Sequence, residues 1–127
     1  MLLKELFEEV SPTQLHDVEK FADKLWKKLG IEIHFTRHFI DRLNDERNGK
    51  PISSAELIRL FKKEYSENGS GISELEGNKE AILKDLFTEI NLPFVMKDAK
   101  DGEVMVAKTI MRKRDFKSDD KAFTIDK

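Results

Sequence analysis

The sequence contains no cysteine. That excludes a disulfide scaffold, a thiol nucleophile, a CxxC redox site and every cysteine-ligated zinc or iron–sulfur centre. It is compatible with a reducing compartment. Long apolar stretches are lacking as well: the longest unbroken run is Val104–Ala107, far short of the roughly 20 residues that span a bilayer. Met1–Leu2–Leu3 gives way at once to Lys4 and Glu5, so no secretory leader is expected. Trp26 and Tyr65 are each the only residue of their kind, too few to build an aromatic stacking platform, and the phenylalanines read as core. No GxxxxGK[ST] loop, GxGxxG turn or GxSxG elbow occurs, which sets aside P-loop nucleotide hydrolysis and serine-hydrolase chemistry. Neither sign of charge dominates: 23 basic residues face 25 acidic ones, a net −2 at pH 7. On its face that balance speaks against a nucleic-acid partner.

What remains is a chain of 127 residues, the length of one domain. Residues 1–12 read as an N-terminal amphipathic segment, with Leu2, Leu3, Leu6, Phe7 and Val10 at helical spacing, and residues 13–127 as a single α+β domain. Ser11, Pro12 and Gln14 open a helix through a capping box. Leu15, Val18, Phe21, Leu25, Trp26 and Leu29 line its inner face, and Gly30 ends it. Ile31–Phe35 alternates as a strand. Thr36 caps a helix with Phe39, Ile40 and Leu43 inward, stopped by Asn48–Gly49–Lys50–Pro51. Ser53 and Glu56 form a second capping box, opening a helix to about Tyr65. Asn68–Gly69–Ser70–Gly71 reads as a flexible loop and Asn78–Phe87 as a further helix. Strand character follows Pro93: Phe94–Lys97 and Glu103–Met111 flank an Asp101–Gly102 hairpin turn, and Ala122–Ile125 adds a last short strand. Strands gathered after clustered helices predict an antiparallel sheet of three to four strands packed on helices.

The near-neutral total hides two poles. Between Glu64 and Asn91 seven acidic residues face two lysines. Between Lys108 and Lys117 five basic residues face Asp115 alone, and Lys27–Lys50 holds six basic against four acidic residues. If the two basic segments adjoin in the fold, they make a cationic groove suited to a polyanion.

The stretch Phe35–Arg47 carries the most chemistry. On a helix His38 and Arg42 share a face, with Arg47 a little over a turn beyond and Arg37 rotated away. A neutral imidazole at His38 can act as a general base or orient a hydroxyl. Arg42 and Arg47 can clamp a phosphate. A histidine beside two arginines suits phosphodiester cleavage by charge stabilisation without metal. The competing reading pairs those arginines with Asp41, Asp45 or Glu46 on a solvated helix. His34 and His38 share the i,i+4 spacing of a helical metal pair, but His34 falls in the strand pattern, so no metal site is expected. His16 reads as a surface residue. A bulge near Lys108–Thr109 would let Thr109 and Arg112 converge.

His38-x-x-x-Arg42-Leu43, Arg47, Ile52-Ser53-x-x-Glu56-Leu57 and Val106-Ala-Lys-Thr109-Ile-Met-Arg112 together resemble the RelE/barnase-like nuclease superfamily. The resemblance implies a RelE-like α+β domain that cleaves RNA without metal or cofactor. It assigns His38, Arg42, Arg47, Thr109 and Arg112 to catalysis; Arg37, Lys108, Lys113 and Arg114, on the basic segments, are the candidates for binding nucleic acid. In the implied mechanism a ribose 2′-hydroxyl attacks the adjacent phosphate with His38 as base or orienter. Arg42, Arg47 and Arg112 stabilise the phosphorane, and Thr109 positions an oxygen. The runs Phe35–Arg42, Leu92–Val95 and Ala107–Lys113 are similar to small proteins of T-even-like tailed phages. Residues 1–12 are similar to segments that send proteins into such phage heads. The implied partners are RNA, on or off the ribosome, and phage head proteins, in the host cytoplasm or the virion. The alternative is a catalytically inactive virion or protein-interaction component. The sequence departs from the RelE pattern in an arginine spacing of five rather than four, an acidic insertion at about Asn68–Glu89, and no tyrosine near the end of the sheet.

Overall fold

The structure is a computed structural model, and residues 10–127 of it are described. The expected helix at the N-terminus, and with it nearly all of segment 1–12, lies outside the described residues.

From Ser11 onward the caps direct the chain. Helix α1 spans Pro12–Trp26. The Ser11 hydroxyl accepts from the Gln14 N–H, and the Gln14 side chain accepts from the Ser11 N–H, which satisfies two amides that a helix start leaves unpaired. Leu15, Val18, Ala22 and Trp26 face inward, whereas Phe21, expected with them, is exposed. A single 3-10 turn follows, and Gly30 ends it at φ 74°. Strand β1, Ile31–Phe35, buries alternate residues. Helix α2, Arg37–Leu43, is capped by the Thr36 hydroxyl, which accepts from the Phe39 N–H. Phe39 and Leu43 are buried, but Ile40 is exposed. After a 3-10 turn at Glu46–Asn48, helix α3 begins at the Ser53–Glu56 capping box.

Two expectations fail here. Helix α3 runs Ser54–Ser73, straight through the stretch Asn68–Gly71 that reads as a loop. Its glycines answer to packing: a Cβ at Gly69 would lie 3.0 Å from the Leu29 side chain, and one at Gly71 3.3 Å from the Phe123 ring. Close approach there outweighs the roughly 1 kcal/mol of helix propensity that each glycine costs. The segment read as a helix over Asn78–Phe87 is strand β2, Lys79–Asp85. Ala81 and Leu83 face the core, while Ile82 is buried on the opposite face. A strand covered on both faces gives a continuous apolar run that mimics helical spacing. The acidic insertion therefore holds the end of α3, strand β2 and the turns beside them.

Strands β3 (Ile90–Ala99) and β4 (Gly102–Ala107) form the expected hairpin. Gly102, at φ 143°, packs so tightly on β1 that a Cβ would lie 2.3 Å from the Gly30 carbonyl oxygen, which accepts from the Glu103 N–H. Strands β5 (Met111–Arg112) and β6 (Lys121–Ile125) complete a sheet ordered β1-β4-β3-β2-β6, with β5 also on β3. The class is α+β, helices first and sheet after, as the sequence implies. The sheet is wider than expected, and it is mixed rather than antiparallel: β1 with β4 and β2 with β6 are parallel. The extra strands are β2, where a helix is expected, and β5, cut off from β4 by a break in the strand expected over Glu103–Met111.

Helices α1 and α3 pack on the sheet face that carries Ile33, Met105, Met96, Phe94, Leu83 and Phe123. The edge of β1 is closed by α1, where Asp23 accepts from the Ile33 N–H at 2.7 Å and Glu19 from the Phe35 N–H at 3.2 Å. Capped amides of this kind keep another strand from pairing there. On the opposite face, which carries no helix among the described residues, Val95, Val104 and Val106 are half-buried. No helix among the described residues is long and apolar enough to cross a membrane.

Candidate nucleic-acid interface

The long strand expected over Glu103–Met111 is interrupted at residues 108–110, between β4 and β5. Pro93 of β3 sits opposite the break. It has no N–H to give, and its carbonyl accepts from the Lys108 N–H. Beyond the break β5 is fixed by two buried asparagines. The Asn91 amide donates to the carbonyls of Glu89, Met111 and Lys113. Asn48, in the 3-10 turn after α2, accepts from the Arg112 N–H at 3.1 Å and donates to the Arg42 and Leu43 carbonyls. The two basic segments of the sequence therefore do meet, at the contact of β5 with the Glu46–Asn48 turn.

Arg112 is the centre of this junction, and it faces inward. Its side chain is 11% exposed and forms a bidentate pair with Glu56, at 3.0 and 2.9 Å. It also donates to the Lys50, Pro51 and Thr88 carbonyls. Burial alone would push the Glu56 carboxyl up. The hydrogen bonds from Arg112 and Ser53 outweigh it and hold that group below the ordinary carboxylate range. The guanidinium is thus saturated by protein groups.

The other residues named from the sequence divide in two. Asp45 holds both Arg42, at 3.1 Å, and Arg47, at 3.0 Å, which is the competing reading of that helix. Lys108 pairs with Glu80, and Arg114 with Glu89 at 2.8 Å. By contrast Arg37, His38 and Lys113 are exposed and carry no ion pair among the described residues. Thr109 lies in the break, half-buried. His34 is exposed on the sheet face opposite α1 and α3, and among the described residues no three side chains group as metal ligands. Exposed pairs such as Arg47–Asp45 and Arg114–Glu89 contribute little to stability and exchange readily with other partners.

Sequence reading missed Lys50, which stands exposed beside the Arg112 clamp, and the turn joining β2 to β3. There Leu86 and Phe87 are exposed, 50% and 58%, at the end of the segment expected to be a helix. Reading the segment as a strand would have put both at a turn. Beneath this turn two buried acids differ. Asp85 is held by Arg59 at 3.0 Å. Burial alone would push its carboxyl up. The hydrogen bonds from Arg59, Thr88 and Phe87 outweigh it and hold Asp85 below its ordinary value. Among the described residues Glu64 accepts only from the Asn68 amide and the Lys84 N–H, and burial pushes it up to about 8.

No protein-family model, curated protein or solved structure matches the chain.

Proposed function

We propose that the chain is an RNA-binding domain of RelE-like type that does not cleave its ligand. The observation that carries this reading is the contrast at the β5 junction. Arg112, one of the arginines the resemblance assigns to catalysis, is saturated by Glu56 and three carbonyls, while Lys50, Lys113, Arg47 and Arg114, on the segments that meet there, are exposed. A guanidinium spent on folding cannot stabilise a phosphorane without breaking the fold. Exposed cations serve to attract phosphates. The RelE-like motifs quoted above support an RNA partner, and the likeness to tailed-phage proteins makes a phage-infected cell or a phage head the setting to search first. Incubation of the purified protein with RNA in excess chelator tests the reading. Retention of RNA without cleavage is expected. Cleavage abolished by His38→Ala and Arg47→Ala would establish a ribonuclease instead.

A second reading, a protein-interaction component, is favoured by the half-buried valines 95, 104 and 106 on the sheet face that carries no helix among the described residues. Apolar surface rimmed by charge suits a protein partner. In that case substitution of Val106 by Asp abolishes partner capture and leaves RNA binding intact.

A further inference from the structure

We propose that the β2–β3 turn is a stacking site for one base of a single-stranded RNA, with Phe87 as the platform; this rests on the RNA-binding reading above. Phe87 and Leu86 are the two most exposed large apolar side chains among the described residues. Apolar side chains this exposed, standing together at a turn, ask for a partner. The Arg59 guanidinium lies 4.8 Å from the Phe87 ring centroid, and its pair with buried Asp85 fixes its position. One ring face is thus backed by a held cation, and the side chain remains more than half exposed for a ligand.

The charges beside the ring fit a nucleotide. A hollow of about 270 Å³ is lined by Phe87, Lys84, Lys113 and Arg114 together with Asp85 and Glu89. Its two acids are engaged: Glu89 by Arg114 and Asp85 by Arg59. Lys113 has no ion pair among the described residues, and its backbone is pinned to the turn by its N–H to the Glu89 carbonyl at 2.8 Å. The backbone thus anchors a lysine in the same hollow as an exposed aromatic. Aromatic stacking beside backbone-tracking cations is how proteins hold single strands without reading sequence. A duplex offers no free base face to such a ring.

Binding of a fluorescent single-stranded oligoribonucleotide and of the same sequence as a duplex, with Phe87→Ala, Phe87→Trp and Lys113→Ala, tests this. Phe87→Ala is expected to weaken single-strand binding about tenfold and leave duplex binding unchanged. Phe87→Trp is expected to retain binding, with its indole fluorescence quenched on addition of single strand; Trp26 is fully buried and supplies a constant background. Should Phe87→Ala bind as the wild type while Lys113→Ala weakens both ligands, the stacking site is wrong and RNA binding stands. Should the wild-type protein retain neither ligand at low salt, the RNA reading falls and takes this site with it.

Discussion

The two sides of the β5 junction are built from the same residue types and do opposite work. On the inner side Arg112 and Glu56 close on each other, with Asn48 and the carbonyls of Lys50, Pro51 and Thr88 completing the shell. On the outer side Arg114, only two residues on, is 82% exposed and bonded to one glutamate. Arginine and lysine counts in a sequence cannot separate these cases. Burial and the number of partners can. Removing one half of a buried ion pair strands the other charge, whereas an exposed pair in water contributes little.

That contrast is sharpest in stability. Arg112→Ala is expected to cost about 3–5 kcal/mol in chemical unfolding, the largest effect of any change named here. Replacing Arg112 and Glu56 together by apolar residues should cost less than the single change. If Arg112→Ala unfolds at the wild-type denaturant concentration, the inner clamp is not what holds β5.

The two buried acids extend the comparison and give it a pH signature. Glu64 has a folded pKa of about 8 against an ordinary 4.5, so the folded state holds a proton that the unfolded chain releases. Its contribution is fully present below pH 4.5 and is lost as pH rises toward 8. Glu56 and Asp85 are held below their ordinary values. Their contributions are present above those values and are lost in acid. Glu64→Gln should remove the decline in stability on the alkaline side and leave the acid side unchanged. An unaltered profile across pH 5–8 would mean that Glu64 is ionised in the fold.

Local signals in the sequence are good guides to local structure. Both capping boxes, the Thr36 cap, the Gly30 stop, the alternation of Ile31–Phe35 and the Asp101–Gly102 turn all operate between residues a few positions apart. What escaped reading depends on distant partners. Gly69 and Gly71 look like loop residues until Leu29 and Phe123 are seen against them. Ile82 and Leu83 look helical because the strand is covered on both faces. At the site the types were legible and the pairing was not. Asp45 beside Arg42 and Arg47 could be read from spacing, but Glu56 against Arg112 is 56 residues away, and the exposed Phe87 was hidden inside a misassigned helix.

The outer side answers to smaller, functional changes. Lys113→Ala and Lys50→Ala should each weaken RNA binding a few-fold, with stability within about 0.5 kcal/mol of wild type, as read by thermal unfolding alongside the titration. Smallest of all, Asp45→Asn should release Arg42 and Arg47 while keeping an oxygen for the Arg47 N–H. RNA affinity should then rise about twofold at low salt, since like exposed pairs are worth only a few tenths of a kcal/mol. A fall in affinity would mean that the Asp45 clamp orients those arginines for the ligand.

The most direct measurement is the salt dependence of single-stranded RNA binding for the wild type and the Lys50→Ala/Lys113→Ala double variant. The account predicts a linear fall of log affinity with log salt, and a slope shallower by about 1.4 in the double variant, two phosphate contacts at roughly 0.7 each. Binding with the same slope in both proteins, or no binding at low salt, would contradict it.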